Sequence, residues 1–427
     1  MRDKFLDFLF LQEPNIQWVV LGCVLMGAAC GVVGVYSNLR KQSLVGDAVA
    51  HAVLPGVCLA FLWVGDKSWL AMTLGAYLSG FLALYLINLL PKHSKLKEDS
   101  VIALVLSVFF GLGVVILSFI QQSGNPNQSG LQGFLLGKAA SMLASDVLGF
   151  AFLSFMVLGA VVWFFEPFKA LCFDRNFSTV MGLPVSFMEF LLVSLTVLAV
   201  VSGIQAVGVV LISAMLITPV AAARFWSHNL KVVVLISGLL GAVSGYFGAM
   251  VSYLWEGMPT GPWVVVLASG FAFVSFAFAP KRGLIAQKIK QNRHRKTILT
   301  ENLLKALYQL GEKQSQSIFS TEEVQNQRKF SQAEFKKGIR WLQKQGFVSV
   351  GTHGIQLTES GLNRAKTVVR LHRLWELYLS TYLQISREKV HQEAETIEHI
   401  ITPEIEQLLL KRLDFPEKDP HQTIIPY

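Results

Sequence analysis

Nine apolar runs fill the first 280 residues, near 17–36, 47–65, 68–90, 101–120, 146–165, 186–204, 205–225, 231–255 and 262–279. A run of about 18 or more residues with few charges crosses a bilayer as a helix, because only a helix pairs its own backbone N–H and C=O groups where no water can. The runs predict an all-α polytopic membrane body of about nine transmembrane helices. Composition agrees once it is divided. The whole chain is 52% hydrophobic and 15% charged, with a net charge of +9. Lys and Arg against Asp and Glu number 13 against 12 in residues 1–280, and 24 against 16 in residues 281–427. The membrane body is near neutral, and a basic, soluble appendix carries +8 of the +9.

The amino terminus has no short apolar core with a small-residue cleavage site, so its first run reads as an uncleaved helix. Cys23, Cys30, Cys58 and Cys172 show no C-x-x-C spacing and lie in or beside apolar runs, which implies no disulfide framework. Basic residues at Arg40-Lys41, Lys92 to Lys97, Lys169 to Arg175, Arg224 to Lys231 and Lys281-Arg282 alternate with poorly charged loops. By the positive-inside rule these loops are cytoplasmic, the amino terminus is outside and the tail is inside. The polar loop 121–145 then faces outward. Within it Gly133-Phe134-Leu135-Leu136-Gly137-Lys138-Ala139 only mimics a phosphate loop, having three residues between the glycines and Ala where Ser or Thr should hold magnesium. Any ATP hydrolysis is therefore expected on another subunit. Gly238, Gly241 and Gly245 supply small residues for close helix approach, and Trp63, Trp69, Trp163, Trp255 and Trp263 mark the ends of runs as interfacial belts do.

The second run opens with Ser43-Leu44-Val45-Gly46-Asp47-Ala48-Val49-Ala50-His51-Ala52-Val53-Leu54-Pro55-Gly56. On a helix Asp47 and His51 are i and i+4, so a carboxylate and an imidazole share one face among Ala, Val and Gly. Such a pair either holds a divalent cation, joins in an internal hydrogen bond that packs helices, or sits at the interface in water. Pro55-Gly56 should break or kink the helix and free backbone carbonyls. This stretch resembles the signature of the metal-uptake permeases of ATP-binding-cassette importers, which import manganese, zinc or iron. Two further segments carry the same resemblance in order: Phe173-Asp174-Arg175-Asn176-Phe177 with Met181-Gly182-Leu183, and Val207-Gly208-Val209-Val210-Leu211-Ile212-Ser213-Ala214-Met215-Leu216-Ile217-Thr218-Pro219. The resemblance implies that Asp47 and His51 meet the metal on its path. It also implies that the segment from Asp174 is the docking surface for an ATPase subunit, although the family's Pro-Glu after the Asp is Arg175-Asn176 here. Further implied partners are an extracytoplasmic metal-binding protein and a second permease copy or relative, with the assembly in the bacterial inner membrane.

After Pro280, Lys281, Arg282, Lys288, Lys290, Arg293, Arg295 and Lys296 crowd one stretch, read as a basic juxtamembrane linker over 281–298 that meets anionic lipid. Helical patterns follow at about 299–312, 320–326, 331–345, 358–383, 387–400 and 402–413, with short β-rich pieces at Phe347–Val350 and Gly354–Leu357. Three helices and then a hairpin is the order of a winged helix, placed at 299–360. A helical metal-binding and dimerisation region then covers 361–427. On the helix at 387–400, His391, Glu395, Glu398 and His399 fall within about 100° of arc, and His372 and Glu376 form an i, i+4 pair on the helix before it. Six N/O donors suit a first-row divalent metal, against the alternative of a solvated polar face. In the expected recognition helix, Lys336, Lys337, Arg340 and Lys344 are placed to meet phosphates or base edges of operator DNA.

Residues 299–427 resemble the metal-dependent repressors of the diphtheria-toxin-repressor class. The resemblance rests on Leu357-Thr358-x-x-Gly361, Val368-Val369-Arg370-x-His372-Arg373-Leu374-Trp375-Glu376, Val390-His391-x-Glu393-Ala394-Glu395-x-x-Glu398-His399 and Phe415-Pro416-x-x-Asp419-Pro420-His421. It implies one metal site on Glu395, Glu398 and His399 and a neighbouring one on His372, Glu376 and His391, with Glu395 in the manner of the manganese-type members. The class's first-helix ligand falls on Asn302, a poorer donor than a carboxylate. Taken together the resemblances imply a permease subunit of a divalent-metal importer, manganese or iron first and zinc next, with a cytoplasmic metal-responsive DNA-binding domain. The alternatives are a membrane-anchored metal-sensing regulator with little transport and a permease for a metal chelate.

Overall fold

A computed structural model of the chain describes residues 2–42, 44–66, 68–122, 137, 144–255, 257–314, 316–328, 330–352, 354–385 and 402–427. The chain forms two compact units, Met1–Ala286 and Gln287–Tyr427.

The first unit is wholly helical among its described residues. After α1 (Arg2–Leu9) come α2 (Pro14–Leu39), α3 (Val45–Val64), α4 (Trp69–His93), α5 (Glu98–Gln122) and α6 (Ala144–Trp163). Two short helices, α7 (Phe165–Phe173) and α8 (Arg175–Val180), lead to α9 (Val185–Val207), α10 (Val209–Trp226), α11 (Leu230–Leu254) and α12 (Thr260–Phe278). Eight of these helices are long and apolar enough to span a membrane, and a ninth apolar helix, Leu211–Trp226, is shorter. The break before it is abrupt: Gly208, at φ +95°, ends α9 and begins α10 with no loop between, a backbone conformation that glycine alone takes at low cost.

Helix packing in this unit depends on glycine. A Cβ on Gly27 would lie 2.3 Å from the Gly241 carbonyl oxygen, and one on Gly245 would lie 2.3 Å from that of Cys23, so α2 and α11 touch backbone to backbone. Gly238, Gly241 and Gly245 are thus the packing contacts expected of them. Gly56 and Gly75 do the same for α3 and α4, with hypothetical Cβ distances of 2.0 and 2.3 Å to each other's carbonyl oxygens. Close approach of this kind replaces the hydrophobic drive that lipid removes. Pro55 does not end α3, which continues to Val64. Proline has no N–H to donate, however, so the His51 carbonyl loses its i+4 helical bond at this point.

In the second unit α13 (Leu284–Gln314) makes the basic stretch helical from Leu284 onward. It is followed by β1 (Ile318–Phe319), α14 (Thr321–Arg328), α15 (Gln332–Lys344), β2 (Val348–Gly351), β3 (Gly354–Leu357), α16 (Glu359–Tyr382) and α17 (Pro403–Arg412). The hairpin is antiparallel with Val348 opposite Leu357, and β1 adds a third strand in the order β1-β3-β2. Leu303, Leu307, Phe335, Leu342, Val348 and Ile355 share one core, which joins α13 and α15 to the hairpin as a winged helix requires. Ser331 caps α15 by accepting from the Glu334 N–H, and Thr358 caps α16 by accepting from that of Gly361.

Candidate metal sites

The first site begins with backbone. Gly46 lets Leu216 of α10 approach α3, a Cβ on Gly46 lying only 2.5 Å from Leu216 Cδ1. One residue on, Asp47 Oδ1 accepts a hydrogen bond from Ser213 Oγ of α10 at 3.2 Å. His51, a turn later, places Nε2 3.6 Å from Asp47 Oδ1, with its side chain 22% exposed and that of Asp47 41% exposed. That separation is too long for a hydrogen bond. It is compatible with two donor atoms on one ion, since ligands at about 2.0–2.2 Å from a metal stand roughly 3–4 Å apart. Phe110 of α5 meets the imidazole edge-on, with ring centroids 4.9 Å apart at 83°, and fixes its plane. The other ring nitrogen, Nδ1, is buried without a hydrogen-bond partner. Among the described residues no group of three His, Cys, Asp or Glu side chains gathers to hold a metal. A cation at this pair would need hydroxyl, carbonyl or water oxygen to complete its shell.

The second permease motif forms a cap and a clamp. Asp174 Oδ1 accepts from the N–H groups of Asn176 at 2.8 Å and Phe177 at 3.1 Å, starting α8. Arg175 makes a two-pronged pair with Glu189 of α9, Nε to Oε1 at 3.0 Å and Nη2 to Oε2 at 3.1 Å. The departure from Pro-Glu is thus absorbed by an ion pair that anchors the turn. Phe173 and Val180 are left 89% and 87% exposed, as a surface that takes a partner would be. On α7 the hydrogen bond from Lys169, together with Lys231, holds the Glu166 carboxyl below the usual range, and burial pushes the Cys172 thiol up to about 11, so it stays protonated.

In the second unit His372 Nε2 stands 3.0 Å from Glu376 Oε1, both side chains 3% exposed. A buried imidazole and carboxylate on one helix face are an N/O donor pair fit for a divalent metal. His391, Glu395, Glu398 and His399 lie outside the described residues. Next to His372, buried Arg373 gathers three parts of the unit: Glu312 of α13, at 3.0 and 2.6 Å, the Ile424 carbonyl, and Asp419 at 3.6 Å. Asp419 in turn accepts from the N–H groups of His421 and Thr423, both at 2.8 Å. Asn302 Oδ1 accepts from Arg328 Nη1 at 2.7 Å, which gives the amide a structural partner where the class has a metal ligand. On α15, Lys336, Lys337, Arg340 and Lys344 are exposed opposite the buried Phe335, Gly338, Ile339 and Leu342. Lys337 Nζ lies over the Trp341 ring at 4.9 Å, and Lys296 Nζ lies over the same ring at 5.0 Å.

Among protein families, residues 12–279 match the ABC 3 transport family. The chain belongs to that family. Within it, the chain is 42% identical over 387 residues to the manganese transport system membrane protein MntC of Bacillus subtilis, covering 90% of this chain and 89% of that one. It is 41% identical over 281 residues to the zinc transport system membrane protein TroC of Treponema pallidum, covering 66% of this chain and 94% of the other. Among solved structures, PsaBC from Streptococcus pneumoniae in complex with Fab superposes with a TM-score of 0.60 at 31% identity, over 67% of this chain and 100% of that one. Residues 358–427 match a second family, the iron dependent repressor, metal binding and dimerisation domain.

The spans, the Asp47–His51 pair and the capped α8 turn all fall within the residues that match the ABC 3 transport family. Sequence reasoning reached both residues of the pair but missed Phe110, and Ser213 only as a letter inside the third motif. The buried Arg373 lies within a repressor-like motif whose letters alone give it no role. Its partner Glu312 carried no signal, because a carboxylate near a helix end reads as solvated.

Proposed function

We propose that this chain is the membrane permease subunit of an ATP-driven importer of divalent metal ions, manganese or iron first and zinc next, and that its C-terminal unit is a metal-responsive DNA-binding regulator. The observation that carries the first half is the Asp47–His51 pair, 3.6 Å apart and oriented by Ser213 and Phe110. Manganese and zinc transport by the two curated relatives agrees with such an N/O donor pair. ATP is hydrolysed by a separate subunit that docks on the α7–α8 turn, where apolar side chains stand exposed beside the Asp174 cap. A second permease copy or relative completes the pathway, and an extracytoplasmic metal-binding protein delivers the ion. The basic loops put the amino terminus outside and the C-terminal unit in the cytoplasm.

The second half rests on the match of residues 358–427 and on the buried His372–Glu376 pair. In this reading residues 299–360 are the winged helix and 361–427 the metal-binding and dimerisation region. His372, Glu376 and His391 hold one regulatory ion, and Glu395, Glu398 and His399 hold another. Lys336, Lys337, Arg340 and Lys344 face DNA. The decisive experiment on the transport half is uptake of radioactive manganese by cells carrying Asp47→Ala or His51→Ala. Both variants reach the membrane and neither imports; wild-type uptake by both would remove the pair from the pathway.

A further inference from the structure

A cavity of about 500 Å³ opens where α2, α7 and α10 end, α11 begins and the chain has just left α12. Its rim carries Lys169, Arg224, His228 and Arg282, and among the described residues none of its lining side chains is acidic. Its floor is apolar, with Val35, Leu39, Val220 and Val233. Arg224 and Arg282 each contact neutral groups here. Arg224 Nη1 donates to Asn38 Oδ1 at 2.6 Å, and Arg282 Nη2 contacts His228 Nδ1 at 2.8 Å while its Nη1 reaches the Arg224 carbonyl at 3.4 Å. With Nδ1 accepting from Arg282, the neutral imidazole of His228 carries its proton on Nε2 as a further donor. Lys169 pairs with Glu166 at 3.1 Å, and Glu166 also takes Lys231 at 3.4 Å, so that carboxylate is already engaged by two ammonium groups.

We propose that this cavity is a binding site for the phosphate headgroup of an anionic membrane lipid. A phosphodiester oxygen pair matches the planar guanidinium donors of Arg224 and Arg282, and the glycerol and first acyl carbons lie on the Val35–Val233 floor. Basic cavities between helix ends on the cytoplasmic side take such headgroups, because acyl chains and phosphate enter from the same direction. The amphipathic lining favours a lipid over a free anion, which would leave the apolar floor bare. The inference needs the spans to lie in a bilayer. It is independent of the Asp47–His51 assignment and of which metal is carried.

The test is thermal unfolding of the purified full-length chain in neutral detergent, titrated with phosphatidylglycerol, phosphatidylcholine or inorganic phosphate. Phosphatidylglycerol raises the midpoint and the other two do not. Arg282→Gln, and Arg224→Gln separately, each weaken the apparent affinity for phosphatidylglycerol by about fivefold, the equivalent of one lost surface charge at a membrane. Arg224 also ties α10 to α2, so Asn38→Ala serves as the control: it removes the tie and keeps the lipid response. Equal response to phosphatidylglycerol and phosphatidylcholine, an equal response to inorganic phosphate, or equal loss of response in Asn38→Ala each overturns the proposal. An unchanged lipid response in Arg282→Gln with failure to assemble the ATPase subunit overturns it too, and makes the rim a subunit contact.

Discussion

Ser213 shows how much a single hydroxyl decides at the proposed metal site. It is the one described hydrogen-bond donor to Asp47 Oδ1 and it arrives from a helix 166 positions away. Without it the carboxylate is free to turn from the imidazole, and a hydrogen bond to a charged group is worth roughly 1.5–3 kcal/mol. Ser213→Ala therefore raises the metal concentration for half-maximal uptake by about tenfold, and Ser213→Thr, which keeps the hydroxyl, restores most of it. An unaltered concentration dependence in Ser213→Ala would show that the bond plays no part in metal capture. The pair itself was legible in the sequence because i and i+4 on a helix fix adjacency locally. Ser213 and Phe110 were not, since their positions depend on tertiary packing between helices far apart in the chain. Asn302 is a subtler case. Its departure from the repressor class could be read directly, but only the fold shows Arg328 bonded to it. An Asp placed there meets Arg328 first, so Asn302→Asp strengthens that contact and tightens metal binding less than a bare carboxylate would.

At the scale of elements, the spans followed from hydropathy almost throughout, because a membrane helix must be apolar along its whole length. The basic stretch after Pro280 read as a linker since its charge hides any amphipathic face, yet it is helical from Leu284. Strand β1, two residues long, was missed for the same reason that any two-residue strand is, having no period to detect. Gly238, Gly241 and Gly245 pack as read, and so does Gly56, which the sequence marked as a helix breaker; the effect is measurable. A Cβ on Gly56 would meet Gly75 O at 2.0 Å, whereas one on Gly111 of α5 meets nothing within 4 Å. Gly56→Ala thus costs about 1–3 kcal/mol through overpacking of α3 on α4. Gly111→Ala is neutral or stabilising by up to ~1 kcal/mol through helix propensity. Unfolding midpoints of the two variants in detergent separate the cases, and equal midpoints would contradict the close approach.

At the scale of the whole molecule, the C-terminal unit has a hydrophobic core of its own and is expected to act when made alone. Residues 287–427 bind duplex DNA more tightly with manganese than after chelation, because a metal joining residues of separate helices removes ordering cost before DNA is engaged. Lys337→Ala weakens that binding across sequences and reduces its salt slope by about one. Titration at fixed salt, with and without metal, checks both statements, and equal affinity in the two conditions removes the metal from DNA recognition.

The glycine contacts carry a last consequence for transport. Backbone resting on backbone leaves no side chain to yield, so α2 with α11 forms one stiff block and α3 with α4 another. The Asp47–Ser213 bond and the Gly46–Leu216 contact join α3 of one block to α10, which Gly34 seats against α2 of the other, through a hydroxyl and a flexible side chain. A Cβ on Gly46 would stand 3.8 Å from Leu216 Cβ, within reach of a disulfide. Oxidising the double variant Gly46→Cys/Leu216→Cys stops uptake and reduction restores it, while uptake that ignores the oxidant would place the moving joint elsewhere. If the cross-link stops uptake, an ion held at the proposed Asp47–His51 site lies on that joint: whatever parts the stiff blocks would also pull Ser213 from Asp47, loosening passage and grip on the cargo in a single stroke.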